Sequence, residues 1–263
     1  MRPILPISAA TAAPGAYGYN RAVVKRNYAF MPPEGVLDSR LPAFDNTIVK
    51  FLTAPVMGAR FAQYILEIGA RGGTRKPQRD QLQYFFMVLE GSAEFVCNGA
   101  SHAFGKGAYA YLPPDSAYEL NNASDTTARI LVLKRPYVPA EDFDAPPVIV
   151  SHIDKVEQIN HTGNAGRGWK HLLPVDDMRF DMEMNILSFA PGNYFPAVET
   201  HIMEHGLYML RGQGLYLLEN DWHEIWADDF VWMGSYVPQQ FYPTGWDGAA
   251  YLLYKDVNRD VAF

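Results

Sequence analysis

Residues 84–99, YFFMVLEGSAEFVCNG, and residues 205–220, HGLYMLRGQGLYLLEN, read as one pattern used twice. Each is an aromatic-rich apolar run, a glycine (Gly91, Gly212), a second apolar run and a polar turn, which is how a β-hairpin is written in sequence. Each is followed by a second related piece, GKGAYAYLPPDSAYEL at 105–120 and ADDFVWMGSYVPQQFY at 227–242. Setting Gly91 on Gly212 brings Gly107 onto Asp228 and Pro113 onto Gly234, once the hairpin between them is allowed a two-residue difference. A repeat of this length implies two copies of one all-β unit in tandem.

Working outward, the ordered-looking segments are short, rich in β-branched and aromatic residues and punctuated by Gly, Pro and Asn. One series runs through residues 59–68, 84–91, 93–98, 108–112 and 128–134, and a second through 181–189, 206–210, 215–219, 230–233 and 250–256. That spacing predicts antiparallel sandwiches or barrels. The proline-rich stretch Pro136 to Val150 separates the series. The expected organisation is an arm with the first strands (1–45), a first barrel (46–138), a linker (139–160) and a second barrel (161–263). Residues 151–160 are expected to form a short helix.

With 48% hydrophobic and 14% aromatic residues, the 263-residue chain has ample material for packed cores. A formal charge of −7, without a run of Lys or Arg, argues against nucleic acid as a partner and favours a small molecule. Cys97 is the sole cysteine, so no intrachain disulfide forms and a reducing, cytoplasmic location is expected. Pro3, Pro6 and Pro14 interrupt the N-terminal segment where a signal peptide needs a continuous apolar run, and no stretch reaches the roughly 18 apolar residues that span a membrane.

The segment Glu199-Thr-His201-Ile-Met-Glu-His205 carries the chemistry. In a strand, ligand-capable residues two and four apart face one side. In a helix, His201, Glu204 and His205 satisfy the HxxEH pattern of inverzincin peptidases, but Pro191, Gly192 and Pro196 before, and Gly206, Gly212 and Gly214 after, oppose a helix. Two histidines can also be satisfied polar groups on a barrel wall. Three ligand-type residues on one face of a strand entering a buried sheet favour a cation instead, because desolvating Glu199 alone would cost several kcal/mol.

The chain resembles the cupins, whose signature is a glycine, two histidines two apart, a glutamate and a glycine, followed by a second motif ending in a third histidine. Here Gly192, Glu199, His201, His205 and Gly212 occupy the first motif, and Gln239 stands at the third histidine's place. The exchanged ligand types resemble the bicupin (S)-ureidoglycine aminohydrolases of purine-ureide breakdown, over most of the chain. That resemblance implies two tandem jelly-roll barrels, a manganese ion on Glu199, His201, His205 and Gln239, and a homo-oligomer. It also implies a small ureide substrate contacted by Tyr216, Tyr251 and Lys255, with ammonia released from the α-carbon. Catalysis is expected to involve Glu199, as a proton shuttle, and Lys255. The YxxxK spacing of Tyr251 and Lys255 also fits short-chain dehydrogenases, but no GxGxxG accompanies it. Oxidative or decarboxylating bicupins usually keep three histidines that this chain lacks, and a non-catalytic ureide- or glyoxylate-binding cupin would bind without turnover. In the first barrel Gln78, Asp80, Tyr84 and Tyr118 stand at the four ligand positions, so that barrel is expected to be metal-free.

Overall fold

A computed structural model describes residues 21–160 and 163–261, so the reading of the first twenty residues lies outside the described residues. The strands are β1 (Val23–Val24), β2 (Tyr28–Met31), β3 (Phe44–Thr53), β4 (Ala62–Thr74), β5 (Leu82–Glu90), β6 (Ser92–Cys97), β7 (Ala100–Gly105), β8 (Ala108–Leu112), β9 (Tyr118–Asn121) and β10 (Ala128–Pro136). They continue as β11 (Ile149–His152), β12 (Arg167–His171), β13 (Met182–Phe189), β14 (His205–Arg211), β15 (Gln213–Leu218), β16 (Asp221–Trp226), β17 (Phe230–Met233), β18 (Gln239–Pro243) and β19 (Ala249–Asp256). Among the described residues no helix is long and apolar enough to cross a membrane.

The chain divides into two compact units. In one, β11-β8-β5-β10-β4-β9-β6-β7 form a continuous curled sheet with β3 on β4. Inside it Phe86, Phe95, Phe104, Leu66, Ile130 and Val132 are buried. In the other, the sheet β1-β2-β17-β14-β19-β13-β12 faces the smaller sheet β16-β15-β18 across a core of Phe30, Leu187, Phe189, Met209, Phe241 and Tyr251. Both units are antiparallel jelly rolls, whose strands alternate between an inner face and an outer one.

The copies superpose without the two-residue allowance, since one constant offset aligns Gly91 with Gly212, Gln78 with Glu199 and Tyr118 with Gln239. Isolated bridges recur at the matching pairs Gln78–Tyr118 and Glu199–Gln239. The repeated glycine has a steric cause. Gly212 has φ +80° beside a register shift between Met209 and Arg211, and a Cβ there would lie 2.3 Å from the Gly248 carbonyl oxygen. Gly91 sits in the matching bulge with φ +71°, and a Cβ there would meet the Thr127 carbonyl oxygen at 2.7 Å. Neither position accepts a side chain.

Three expectations change. Residues 21–36, set apart as an arm in the sequence, cluster with the second barrel, because β2 pairs with β17. Segment Leu173–Asp181 clusters with the first barrel, where Asp181 is buried and accepts from Gln83 at 2.7 Å and from the Val138 amide at 2.9 Å. No helix forms at 151–160: β11 pairs with β8, and a three-residue 3-10 turn at Ile153–Lys155 follows, capped by His152 Nδ1 accepting from the Asp154 amide. Pairing an apolar Ile-Val pair to a buried strand outweighs the local helical pattern.

Beside the β2–β17 pairing, a buried clamp ties residues 21–36 to the barrel. The Arg21 guanidinium reaches Asp229 through two nitrogens at 2.8 and 2.9 Å, and Glu34 at 2.8 Å, and lies 3.7 Å from the Trp226 ring centroid.

Candidate metal centre and substrate cavity

The ligand segment crosses between the two sheets of its barrel. Glu199 bridges Gln239 on the small sheet through reciprocal main-chain bonds of 2.8 and 2.9 Å, whereas His205 opens β14 on the large sheet, opposite Met233 and Lys255. The expected continuous strand is therefore an extended segment that bends at Ile202 and enters the sheet at His205. Glu204, on the other side of the chain, is buried and accepts from the Trp232 indole at 2.8 Å, away from the histidine pair. That placement removes the peptidase geometry, in which Glu204 would face a metal from a helix.

Three side chains converge. His205 Nε2 lies 3.1 Å from His201 Nε2, and Gln239 Nε2 lies 3.0 Å from the same atom. The donor directions can be deduced. A carbonyl only accepts, so His205 Nδ1, 3.2 Å from the Tyr254 oxygen, carries its hydrogen and leaves Nε2 as a lone pair. Burial, His201 and Lys255 together pull the His205 pKa down to about 3, which keeps that lone pair available at neutral pH. Gln239 Oε1 accepts from the Tyr216 hydroxyl at 3.0 Å, and a half-turn of the amide would present Oε1 to the imidazoles while Nε2 donates to Tyr216.

This cluster fits a cation by a test internal to the protein. The two separations from His201 Nε2, 3.1 and 3.0 Å, match the edge of an octahedron with metal bonds of about 2.1 Å. His201 Nδ1 is buried and makes no hydrogen bond among the described residues, and the tautomer that carries the hydrogen there turns the two Nε2 lone pairs toward each other. A positive ion between the rings resolves that conflict, and imidazole with amide and carboxylate oxygen suits manganese, iron, nickel or zinc. Glu199 departs from expectation. It is exposed at the mouth of the barrel, and among the described residues no three His, Cys, Asp or Glu side chains gather at metal-binding spacing. The bridge to Gln239 turns the Glu199 side chain to the same face as Gln239, so from the mouth it lines the cavity and its charge acts on Tyr216 and Tyr251.

A cavity of about 530 Å³ opens onto this cluster and is lined by all seven residues expected at the metal or the substrate: Glu199, His201, His205, Tyr216, Gln239, Tyr251 and Lys255. Burial first, and then the charge of Glu199, raise the pKa of Tyr216, so its hydroxyl stays protonated. Burial, then Tyr216 and Glu199, raise that of Tyr251 well above the ordinary value. The Tyr251 side chain is 1% exposed and its hydroxyl makes no hydrogen bond among the described residues. Lys255 pairs with Glu183 at 2.7 Å, a partner the sequence reading missed. Glu183 faces inward on β13 beside the fully buried Asn185. In the first barrel the matching positions are closed by aromatic packing. Tyr84 donates to Asp80 at 2.6 Å and its ring lies 5.3 Å from that of Tyr118, tilted by 54°, so two phenols fill the space that His205 and Gln239 line in the second copy.

Residues 64–134 match the family described as Cupin domain. The chain is 36% identical to the (S)-ureidoglycine aminohydrolase of Escherichia coli (strain K12), over 92% of this chain and 93% of that one. It is 30% identical to the (S)-ureidoglycine aminohydrolase of Arabidopsis thaliana, over 92% of this chain and 80% of that one. The crystal structure of the putative glyoxylate induced protein from Pseudomonas aeruginosa superposes with a TM-score of 0.85 at 32% identity, covering 94% of both chains. Two jelly-roll barrels of this kind in one chain define a bicupin. Within that class, the chain belongs to the family of the (S)-ureidoglycine aminohydrolases that it matches along nearly its whole length.

Proposed function

We propose that this chain is a manganese-dependent hydrolase that releases ammonia from (S)-2-ureidoglycine. Water adds at the α-carbon, the bond to the amino nitrogen breaks, and (S)-ureidoglycolate and ammonia leave. The observation that carries the reading is the single cavity shared by the His201–His205–Gln239 cluster, Tyr251 and Lys255, in a chain 36% identical to a relative of that name. Glu199, His201, His205 and Gln239 would hold the metal. When bound, it supplies a Lewis acid and a template for the substrate's polar groups.

The chain's own residues do the rest. The Lys255 ammonium pairs with the substrate carboxylate or ureido oxygen, and the unpartnered Tyr251 hydroxyl donates to the ureido group. Tyr216 fixes the Gln239 amide. The Glu199 carboxylate, with no side-chain hydrogen bond among the described residues, takes a proton and passes it to the departing amine. Leu187, Phe241 and Leu253 give the cavity apolar walls that strengthen these polar contacts. The reading includes the cytoplasm and a homo-oligomer, neither of which the cavity itself requires.

Freshly generated (S)-ureidoglycine given to metal-stripped protein should release ammonia above the spontaneous rate only when manganese is added. No release with metal demonstrably bound overturns the assignment. Glu199→Gln should retain manganese through the remaining ligands yet lose about 10²–10⁴-fold in turnover, the usual worth of a positioned acid or base. Near-normal turnover by that variant would remove the shuttle role.

A further inference from the structure

We infer that Glu183, backed by Asn185 and His171, is a positioning residue that holds Lys255 at the wall of the cavity. The inference rests on the role given to Lys255 above. Glu183 stands directly opposite Lys255 in the β13–β19 register, and Asn185 directly opposite His171 in the β12–β13 register. All four residues lie at inward-facing positions at one end of the large sheet.

The contacts form an ordered chain. Lys255 Nζ lies 2.7 Å from Glu183 Oε2, with the two side chains only 18% and 15% exposed. Asn185 Nδ2 donates to the same carboxylate oxygen at 2.9 Å, and Asn185 Oδ1 lies 2.6 Å from His171 Nδ1. Chemistry fixes every direction. A carboxylate only accepts, so the Asn185 amide must present its NH₂ to Glu183 and its oxygen to His171, and His171 must carry its hydrogen on Nδ1. Burial alone would disfavour the Glu183 anion, but Lys255 and Asn185 outweigh it and hold the carboxyl below its ordinary pKa. The Glu183 carboxylate therefore stays ionised.

A lysine side chain has four rotatable bonds, and a free one would sample many positions over the cavity. Anchoring one of its three N–H donors to a carboxylate that is itself locked by an amide leaves two donors aimed at a ligand. A cross-strand ion pair that only tied the sheet together would not need Asn185 to turn away from solvent and orient the carboxylate. It also would not affect how substrate binds.

The test uses the full chain with Glu183→Gln, Lys255→Met and the double variant. Glu183→Gln should raise KM about tenfold with kcat changed less than about twofold, the loss of one charge-assisted contact that orients a binding group. In the Lys255→Met background it should add nothing further, because Glu183 acts through Lys255. Independently of substrate, reductive methylation read by peptide mass spectrometry should modify Lys255 several-fold faster in Glu183→Gln than in the parent. Should Glu183→Gln not fold, Glu183→Asp keeps the charge, draws it back by one methylene and should shift both readouts less in the same direction. Unchanged KM and methylation, or a KM effect undiminished in the double variant, overturns the inference. If the parent releases no ammonia, the functional reading fails, and the methylation rates still decide the role of Glu183.

Discussion

His205→Ala should fold, lose its manganese on dialysis and release ammonia about a thousandfold more slowly, since a Lewis acid supplies several kcal/mol of transition-state stabilisation and each 1.36 kcal/mol is about tenfold. The choice of His205 follows from its setting. It is buried, held at Nδ1 by the Tyr254 carbonyl, and aims Nε2 at the point where His201 and Gln239 also converge. The same setting makes a pH prediction. A histidine whose folded pKa is pulled from the ordinary value to about 3 binds a proton in the unfolded chain before it does in the folded one. Its contribution to stability is present above about pH 6.5 and is lost as pH falls from there toward 3. Metal-free parent protein should therefore lose stability on acidification through that window, and His205→Ala should lose less of it. Metal content by mass spectrometry, ammonia release and melts at pH 7 and 5 check the three statements. Full manganese occupancy with parental turnover in the variant would remove His205 from the ligand set.

The tandem repeat was legible because the pattern that encodes a jelly-roll hairpin is local: a strand, a glycine forced by a bulge, a strand and a turn. The same glycine, Gly91 and Gly212, marks the same backbone approach in both barrels. The cavity residues were legible because Glu199, His201, His205 and Gln239 fall on a motif, and because Tyr251 and Lys255, four apart on β19, share its inner face. Glu183 and Asn185 were not. In Met182-Glu-Met-Asn-Ile the apolar residues look like the inward face, yet Leu187 and Phe189 belong to the core and the polar pair lies on their side. Both faces of β13 are buried, so alternation does not say which one lines the barrel. The placement of residues 21–36 with the second barrel and of Leu173–Asp181 with the first was hidden for a related reason. It depends on long-range pairing to β17 and on the buried Asp181, neither of which leaves a periodic trace in the chain.

Arg21→Ala should destabilise the protein by about 3–5 kcal/mol at neutral pH, the cost of breaking a buried ion pair from one side. Arg21 and Asp229 have side chains 7% and 0% exposed, and Asp229 also accepts from the Trp226 amide at 2.7 Å. Burial raises the Asp229 pKa to about 6 in spite of Arg21, so the aspartate already pays for its place in the folded protein. Because the folded pKa is raised, the favourable contribution of this group is present at low pH and is lost as pH rises through about 6. Without Arg21 the pKa rises further, so the cost of Arg21→Ala should grow between pH 5 and pH 7. Urea unfolding at the two pH values measures that difference. Adding Asp229→Asn removes the more deeply buried of the two stranded charges, Glu34 being the other, keeps an oxygen for the Trp226 amide, and should recover part of the loss. Since Arg21 and Glu34 tie β1 and β2 to the sheet through Asp229, limited proteolysis of Arg21→Ala should cut within residues 21–36 before the barrel opens. Parental stability at both pH values, with no new cleavage, would mean that strand pairing between β2 and β17 holds the segment without the clamp.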